Sequence, residues 1–136
     1  MDERTLALLK QSSTATITTQ LLARGLRNTF LHGLKPLNAH RLAGPAFTLR
    51  YIPAREDIDT LDVFRDYDHP QRKAIESVPP GHVLVMDCRG QGRAASAGGI
   101  LATRLQVRGA AGLVTDGTRR TSRSCRSRSM RRGPAH

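Results

Sequence analysis

Three groups of residues in this chain have types and spacing that could do chemistry together: Asp87 with Arg89, the run Ser96-Ala97-Gly98-Gly99, and Asp116-Gly117. Each follows or precedes a short apolar run, so each falls where a strand end meets a loop. In α/β units, ligands gather at the carboxyl ends of strands, and these residues can face one cleft. Gly98 and Gly99 open a helix expected over residues 100–108. Without side chains there, the first-turn N–H groups stay bare, and with the helix dipole they form an anion site suited to a carboxylate or phosphate. The same glycines could serve only to permit a tight turn, and both readings stand at this level. A dinucleotide fingerprint is excluded, because the glycines at 90 and 92 precede the helix start and the expected spacing to a following acid is absent.

Other candidates are weaker. Asp57, Asp59 and Asp62 lie in an acidic stretch that holds six of the eleven carboxylates, but a calcium loop needs a glycine and a glutamate at positions where this one has neither. A solvated loop and helix face is the reading taken. His32, His40, His69 and His82 are scattered, with no i, i+4 pair, and are read as surface or loop residues. Cys88 beside Arg89 could be an activated thiol, though a buried cysteine at a strand end is favoured. Cys88 and Cys125 are the only cysteines, which makes a structural disulfide or a Cys/His metal site improbable. Arg104 and Arg108 interrupt the apolar stripe of their helix at Leu101 and Leu105. They are read as snorkelling side chains with packed stems, with a subunit interface or an anionic ligand as the alternative.

The elements that must position these residues follow from patterning. Leu6, Leu8 and Leu9 suggest a first helix, and Ser12-Ser13-Thr14 offers N-caps for a second that Gly25 stops. Residues 28–43 are loop-rich. After Gly44-Pro45, Phe47, Leu49 and Tyr51 alternate with Thr48 and Arg50, the period of a half-buried strand. His69-Pro70 opens a helix over 71–77 that Pro79-Pro80-Gly81 ends, and Val83 to Met86 is a buried strand. A second strand spans 112–115. Strand, glycine loop, helix and strand make a crossover unit, so these two strands are expected to be parallel neighbours. The fold class is α/β.

With 136 residues the chain is one domain's worth, divided here into a body over 1–117 and a tail over 118–136. The N-terminus has no basic leader and no apolar run reaches membrane-spanning length, so no membrane association is expected and the protein is read as cytoplasmic. The net charge is +11, but seven of the 22 basic residues follow Gly117 and no acid does; the fifteen others against all eleven acids leave the body about +4. The Arg/Ser-rich tail has almost nothing to bury and is expected to be disordered. It would bind nucleic acid only non-specifically, at low salt.

The stretches STATITTQLLARGLRNTF, GPAFTLRYIPARED, HPQRKAIESVPPGHVLVMD and ASAGGILATRLQVRGAAGLVTDG together closely resemble the RraA-like family. That family includes regulators of ribonuclease activity and 4-hydroxy-4-methyl-2-oxoglutarate aldolases with oxaloacetate decarboxylase activity. The resemblance implies a compact swivelling-domain-like sheet with packed helices, assembled as a homotrimer with sites between subunits. For the aldolase branch it implies a divalent cation, usually magnesium, and a small 2-oxo acid substrate cleaved to pyruvate. It also implies a motif of an acid, twenty intervening positions, then Arg-Asp. On this sequence the substrate loop falls on Gly98, Gly99, Ile100 and Leu101, the acidic position on Gly99, the catalytic and substrate-binding arginine on Arg120 and the metal-anchoring aspartate on Thr121. A threonine hydroxyl is a poor anchor for a hard cation that prefers carboxylate oxygen.

Three readings follow: a metal-dependent lyase, a ribonuclease regulator that needs no metal, and a truncated product lacking the C-terminal part of its domain. The likeness stops near Gly117, where the composition changes. Arginine-rich sequence of that kind is what GC-rich coding sequence gives out of frame, so a frame shift near codon 117 is expected rather than a selected nucleic-acid-binding arm.

Overall fold

Val83-Leu84-Val85-Met86 has no polar side chain on either face, the pattern of a parallel strand covered on both sides. In the computed structural model it forms β2 (Val83–Asp87), the middle strand of a three-stranded sheet. The structure describes residues 1–37, 39–53, 55, 57–90 and 95–119, with the backbone alone for Phe64, Ala95, Thr118 and Arg119. On one side of β2 lies β1 (Ala46–Arg50), on the other β4 (Gly112–Thr115), both parallel to it. Leu84 stands in register with Phe47 and with Leu113. The expected parallel pairing of the two strands flanking the glycine-loop helix is therefore found.

Two helices seal this sheet. In α3 (Pro70–Ser77), proline occupies the first turn, where no N–H is needed. In α4 (Gly99–Val107) the last turn ends at Arg108 and Gly109, the latter with φ +78. Ile75 and Val78 from the α3 side, Leu105 and Ala110 from the α4 side, and Leu84 and Met86 from β2 form the core, with Phe47, Leu49, Tyr51, Leu101 and Leu113 packed around it. Leu84 is fully buried. Removing its side chain would forfeit both transfer energy and packing, typically about 2–5 kcal/mol.

The two N-terminal helices form as their caps dictate. Asp2 accepts from Thr5 N at 2.7 Å to start α1 (Glu3–Gln11), and Ser13 accepts from Thr16 N at 3.0 Å to start α2 (Thr14–Ala23). Gly25, at φ +82, ends α2 where the sequence predicts, with Leu26 N bonded back to Leu21 O and Gly25 N to Leu22 O. Neither helix buries a residue. Arg41 reaches back to the last carbonyls of α1, 2.9 Å from Gln11 O, tying the loop before β1 to these helices.

One part of the architecture differs from expectation. Residues read as loop form β3 (Ala95–Ala97), which pairs in parallel with β5 (Thr118–Arg119) as a second small sheet. Strand pairing thus continues two residues past Gly117, with a shift of register between Ala95 and Ala97. Strands of three and two residues are too short to show the alternation by which strands are read.

Candidate active site

The carboxyl ends of β2 and β4 are locked to each other by one side chain. Asp116 accepts from Cys88 N at 2.6 Å through one carboxylate oxygen and from Gly90 N at 2.8 Å through the other. Between them the chain makes a turn in which Arg89 and Gly90 both take left-handed conformations, φ +57 and +66. For a non-glycine residue that conformation is uncommon and must be held by its surroundings; here Asp116 holds it. Asp87, at the end of β2, accepts from Arg89 N at 3.0 Å and from Arg50 Nε at 2.7 Å. The Arg89 N–H, then the Arg50 guanidinium, hold its carboxyl below the usual aspartate range. The structure does bring Asp87, Arg89 and Asp116-Gly117 together, but both carboxylates serve the turn.

Gly117 packs tightly. A Cβ placed on it would lie 2.8 Å from the Cys88 Cβ and Sγ and 3.1 Å from Ser96 Oγ. Cys88 is a buried strand-end cysteine, with Sγ 3.5 Å from Thr115 Oγ1. Thr115 Oγ1 also lies 3.1 Å from Ser96 Oγ and accepts from Gly117 N at 3.0 Å. Beneath Ser96 is a second set of bonds. Its carbonyl accepts from Gln71 Nε2 at 2.8 Å and from Tyr51 Oη at 3.2 Å, while Gln71 Nε2 donates to Tyr51 Oη at 2.7 Å. Burial is the main reason, with a contribution from Cys88, that the Tyr51 hydroxyl is pushed up to about 12. It therefore remains a donor throughout the neutral range.

Above this support sits the glycine loop. The first bond of α4 runs from Ala102 N to Gly98 O at 3.1 Å, and no side chain caps the start. The N–H groups of Gly99, Ile100 and Leu101 precede that bond and belong to the turn that a helix leaves unsatisfied. Gly98 has φ −102, and neither Gly98 nor Gly99 has positive φ. The tight-turn explanation of the pair therefore falls away, since these backbone angles suit any residue. Among the described residues, a Cβ on either glycine would meet nothing within 4 Å. Ile100 beside them is 87% exposed.

Arg104 and Arg108 have a partner that patterning missed. Glu76 on α3 accepts from Arg104 Nε and Nη2, each at 2.7 Å, and from Arg108 Nη1 at 3.1 Å. Both arginines thus bind an intramolecular carboxylate and clamp α3 to α4. Twenty-eight residues separate Glu76 from Arg104, a distance no helical spacing reveals. The hydrogen bond from Arg104, above all, holds the Glu76 carboxyl below its ordinary value of 4.5. A lowered carboxyl stabilises the fold above the ordinary value and loses that contribution as pH falls through the lowered one. Glu76→Gln should lower the melting temperature slightly at neutral pH, less in high salt, and not at all at strongly acidic pH; thermal melts across pH and salt check this. Among the histidines, His32 sits edge-on to Phe30, His69 stands at the start of α3 and His82 Nδ1 is 3.3 Å from Pro80 O.

Among the described residues, the carboxylates near the glycine loop do not fit the cation implied by the resemblance. Among the described residues no three His, Cys, Asp or Glu cluster to hold a metal. The nearby carboxylates of Asp87 and Asp116 are engaged by backbone N–H groups and Arg50, and Gly99 has none. Arg120 and Thr121, onto which the resemblance places the arginine and the metal anchor, lie outside the described residues, as do residues 122–136. No described helix is long and apolar enough to cross a membrane.

Comparison with known proteins decides the family. The model of the RraA-like family, described as aldolase/RraA, matches residues 14–131. This chain belongs to the RraA-like family. The match carries past Gly117, where the sequence reading had the likeness stop. No curated protein matches the chain. Among solved structures it is similar to RraAS2 of Streptomyces coelicolor, described as an unusual member of the RNase ES inhibitor RraA protein family, at 31% identity and TM-score 0.72. That alignment covers 85% of this chain and 55% of the other. A protein from Pseudomonas syringae pv. tomato shares the fold at 24% identity and TM-score 0.66, over 86% of this chain and 48% of its own. The chain thus spans about half the length of the RraA-like structures it matches. Its mixed α/β fold, with a parallel sheet and four α-helices among the described residues, is that of its RraA-like neighbours.

Proposed function

We propose that the glycine loop of this RraA-like chain binds the carboxylate of a small 2-oxo acid, as in the lyase branch that cleaves 4-hydroxy-4-methyl-2-oxoglutarate or oxaloacetate to pyruvate. One observation supports the reading: Gly98 has neither a backbone angle nor a described neighbour that requires glycine, and no side chain caps the start of α4. Preorganised N–H groups of that kind favour negative charge, both on a bound carboxylate and on a carbonyl oxygen as a carbon–carbon bond breaks. Arg120, carried over from the family motif, is the proposed partner for the substrate. Gly98→Ala tests the site. The fold should lose less than about 1 kcal/mol, because the added Cβ meets nothing, while pyruvate or oxalate binding weakens at least about tenfold. Equal binding by the variant, measured by calorimetry, would contradict the reading.

The resemblance also supports association of the chain as a symmetric trimer with sites between subunits. Ile100 and Val107, both strongly exposed on α4, suit that role. Sedimentation velocity is expected to show a trimer, and a well-behaved monomer would refute it. A second reading, modulation of a ribonuclease through protein contacts, is favoured by the description of the Streptomyces coelicolor relative. Pull-down of a ribonuclease by a chain that fails to bind 2-oxo acids would support it.

A further inference from the structure

We propose that Tyr51 and Gln71 are positioning residues that fix the glycine loop from below by clamping the Ser96 carbonyl; this rests on the reading of that loop as the 2-oxo acid site. The hydrogen count leaves little choice. Gln71 Nε2 lies 2.7 Å from Tyr51 Oη and 2.8 Å from Ser96 O, so its two N–H groups serve both. The Tyr51 hydroxyl, accepting from Gln71, directs its own proton to Ser96 O at 3.2 Å. The opposite amide orientation would set two carbonyl oxygens against each other and is excluded on that ground. Ser96 is buried, and its carbonyl lies two residues before Gly98. Tyr51 follows β1 and Gln71 lies in the first turn of α3. The clamp therefore refers the loop to two separate elements of the fold.

The other side of Ser96 completes the connection. Its hydroxyl lies 3.1 Å from Thr115 Oγ1, which accepts from Gly117 N at 3.0 Å. The glycine loop and the end of β4 are thereby held in one frame, the condition for several weak donors to converge on a small ligand. Because Tyr51 titrates only at about 12, the clamp does not release in the neutral range. A packing role alone would need only the ring of Tyr51, so Tyr51→Phe separates the two.

Two measurements on the full chain, wild type against Tyr51→Phe and Gln71→Leu, test this. Amide exchange at Ala102, whose N–H bonds to Gly98 O, reports the loop, and exchange at Val83, bonded to Pro45 O, reports the core. In both variants we expect Ala102 to exchange about fivefold faster or more while Val83 stays within about twofold, and oxalate, as the probe, to bind about five- to tenfold more weakly. Unchanged Ala102 exchange would overturn the clamp. So would equal acceleration at Val83 in Tyr51→Phe, which would mean a general packing role, and so would faster Ala102 exchange with unaltered oxalate affinity. If wild type binds no oxalate, the 2-oxo acid reading fails by itself, and the exchange ratio still decides whether Tyr51 and Gln71 hold the loop.

Discussion

With magnesium added, this chain should turn over oxaloacetate at a rate close to that of magnesium alone, at least about a hundredfold below a family member carrying Arg-Asp at positions 120 and 121. At the positions that the resemblance gives to the motif's aspartate and acid, the sequence has Thr121, with a neutral hydroxyl, and Gly99, with no side chain. Asp87 and Asp116 cannot substitute, because freeing either would undo the turn at the end of β2. Thr121→Asp should raise magnesium-dependent pyruvate release by about tenfold or more. A coupled assay for pyruvate, run with and without magnesium, reads both. Strong magnesium-dependent turnover by the unaltered chain would mean that the cation is held by residues other than those of the family motif.

Asp116→Ala should be among the most damaging single changes near the site, at about 1–3 kcal/mol of folding stability. It removes the acceptor of two backbone N–H groups, on Cys88 and Gly90, and releases Arg89 from its left-handed conformation. Asp116→Asn keeps one acceptor oxygen and should cost less. Denaturant melts of the two variants measure the difference. Equal loss in both would show that one acceptor oxygen alone contributes nothing to holding the turn.

Local chemistry made much of this fold legible. Ser13 as an N-cap, Gly25 as a helix stop, and the unbroken apolar run of β2 act within a few residues of themselves, and each element forms where its residues predict. The glycine pair at 98 and 99 was legible as a candidate site, and the backbone angle of Gly98 supports a ligand's approach over a tight turn. What patterning missed is tertiary. Glu76 meets Arg104 and Arg108 from another helix, and Gln71 reaches Ser96 across the sheet edge. Asp116 was legible as a strand-end carboxylate; that both its oxygens face backbone N–H groups depends on a turn 26 residues earlier. The β3–β5 pair was invisible because two or three residues have no period.

Binding at the glycine loop is tested most directly by titrating isotope-labelled protein with pyruvate and following the backbone amides by NMR. The largest shifts should appear at Gly99, Ile100 and Leu101, saturate together with one affinity, and need at least about tenfold more pyruvate in Gly98→Ala. Absence of shifts at those three amides at millimolar pyruvate, or saturable shifts confined to residues elsewhere, would contradict the assignment of this loop as the 2-oxo acid site.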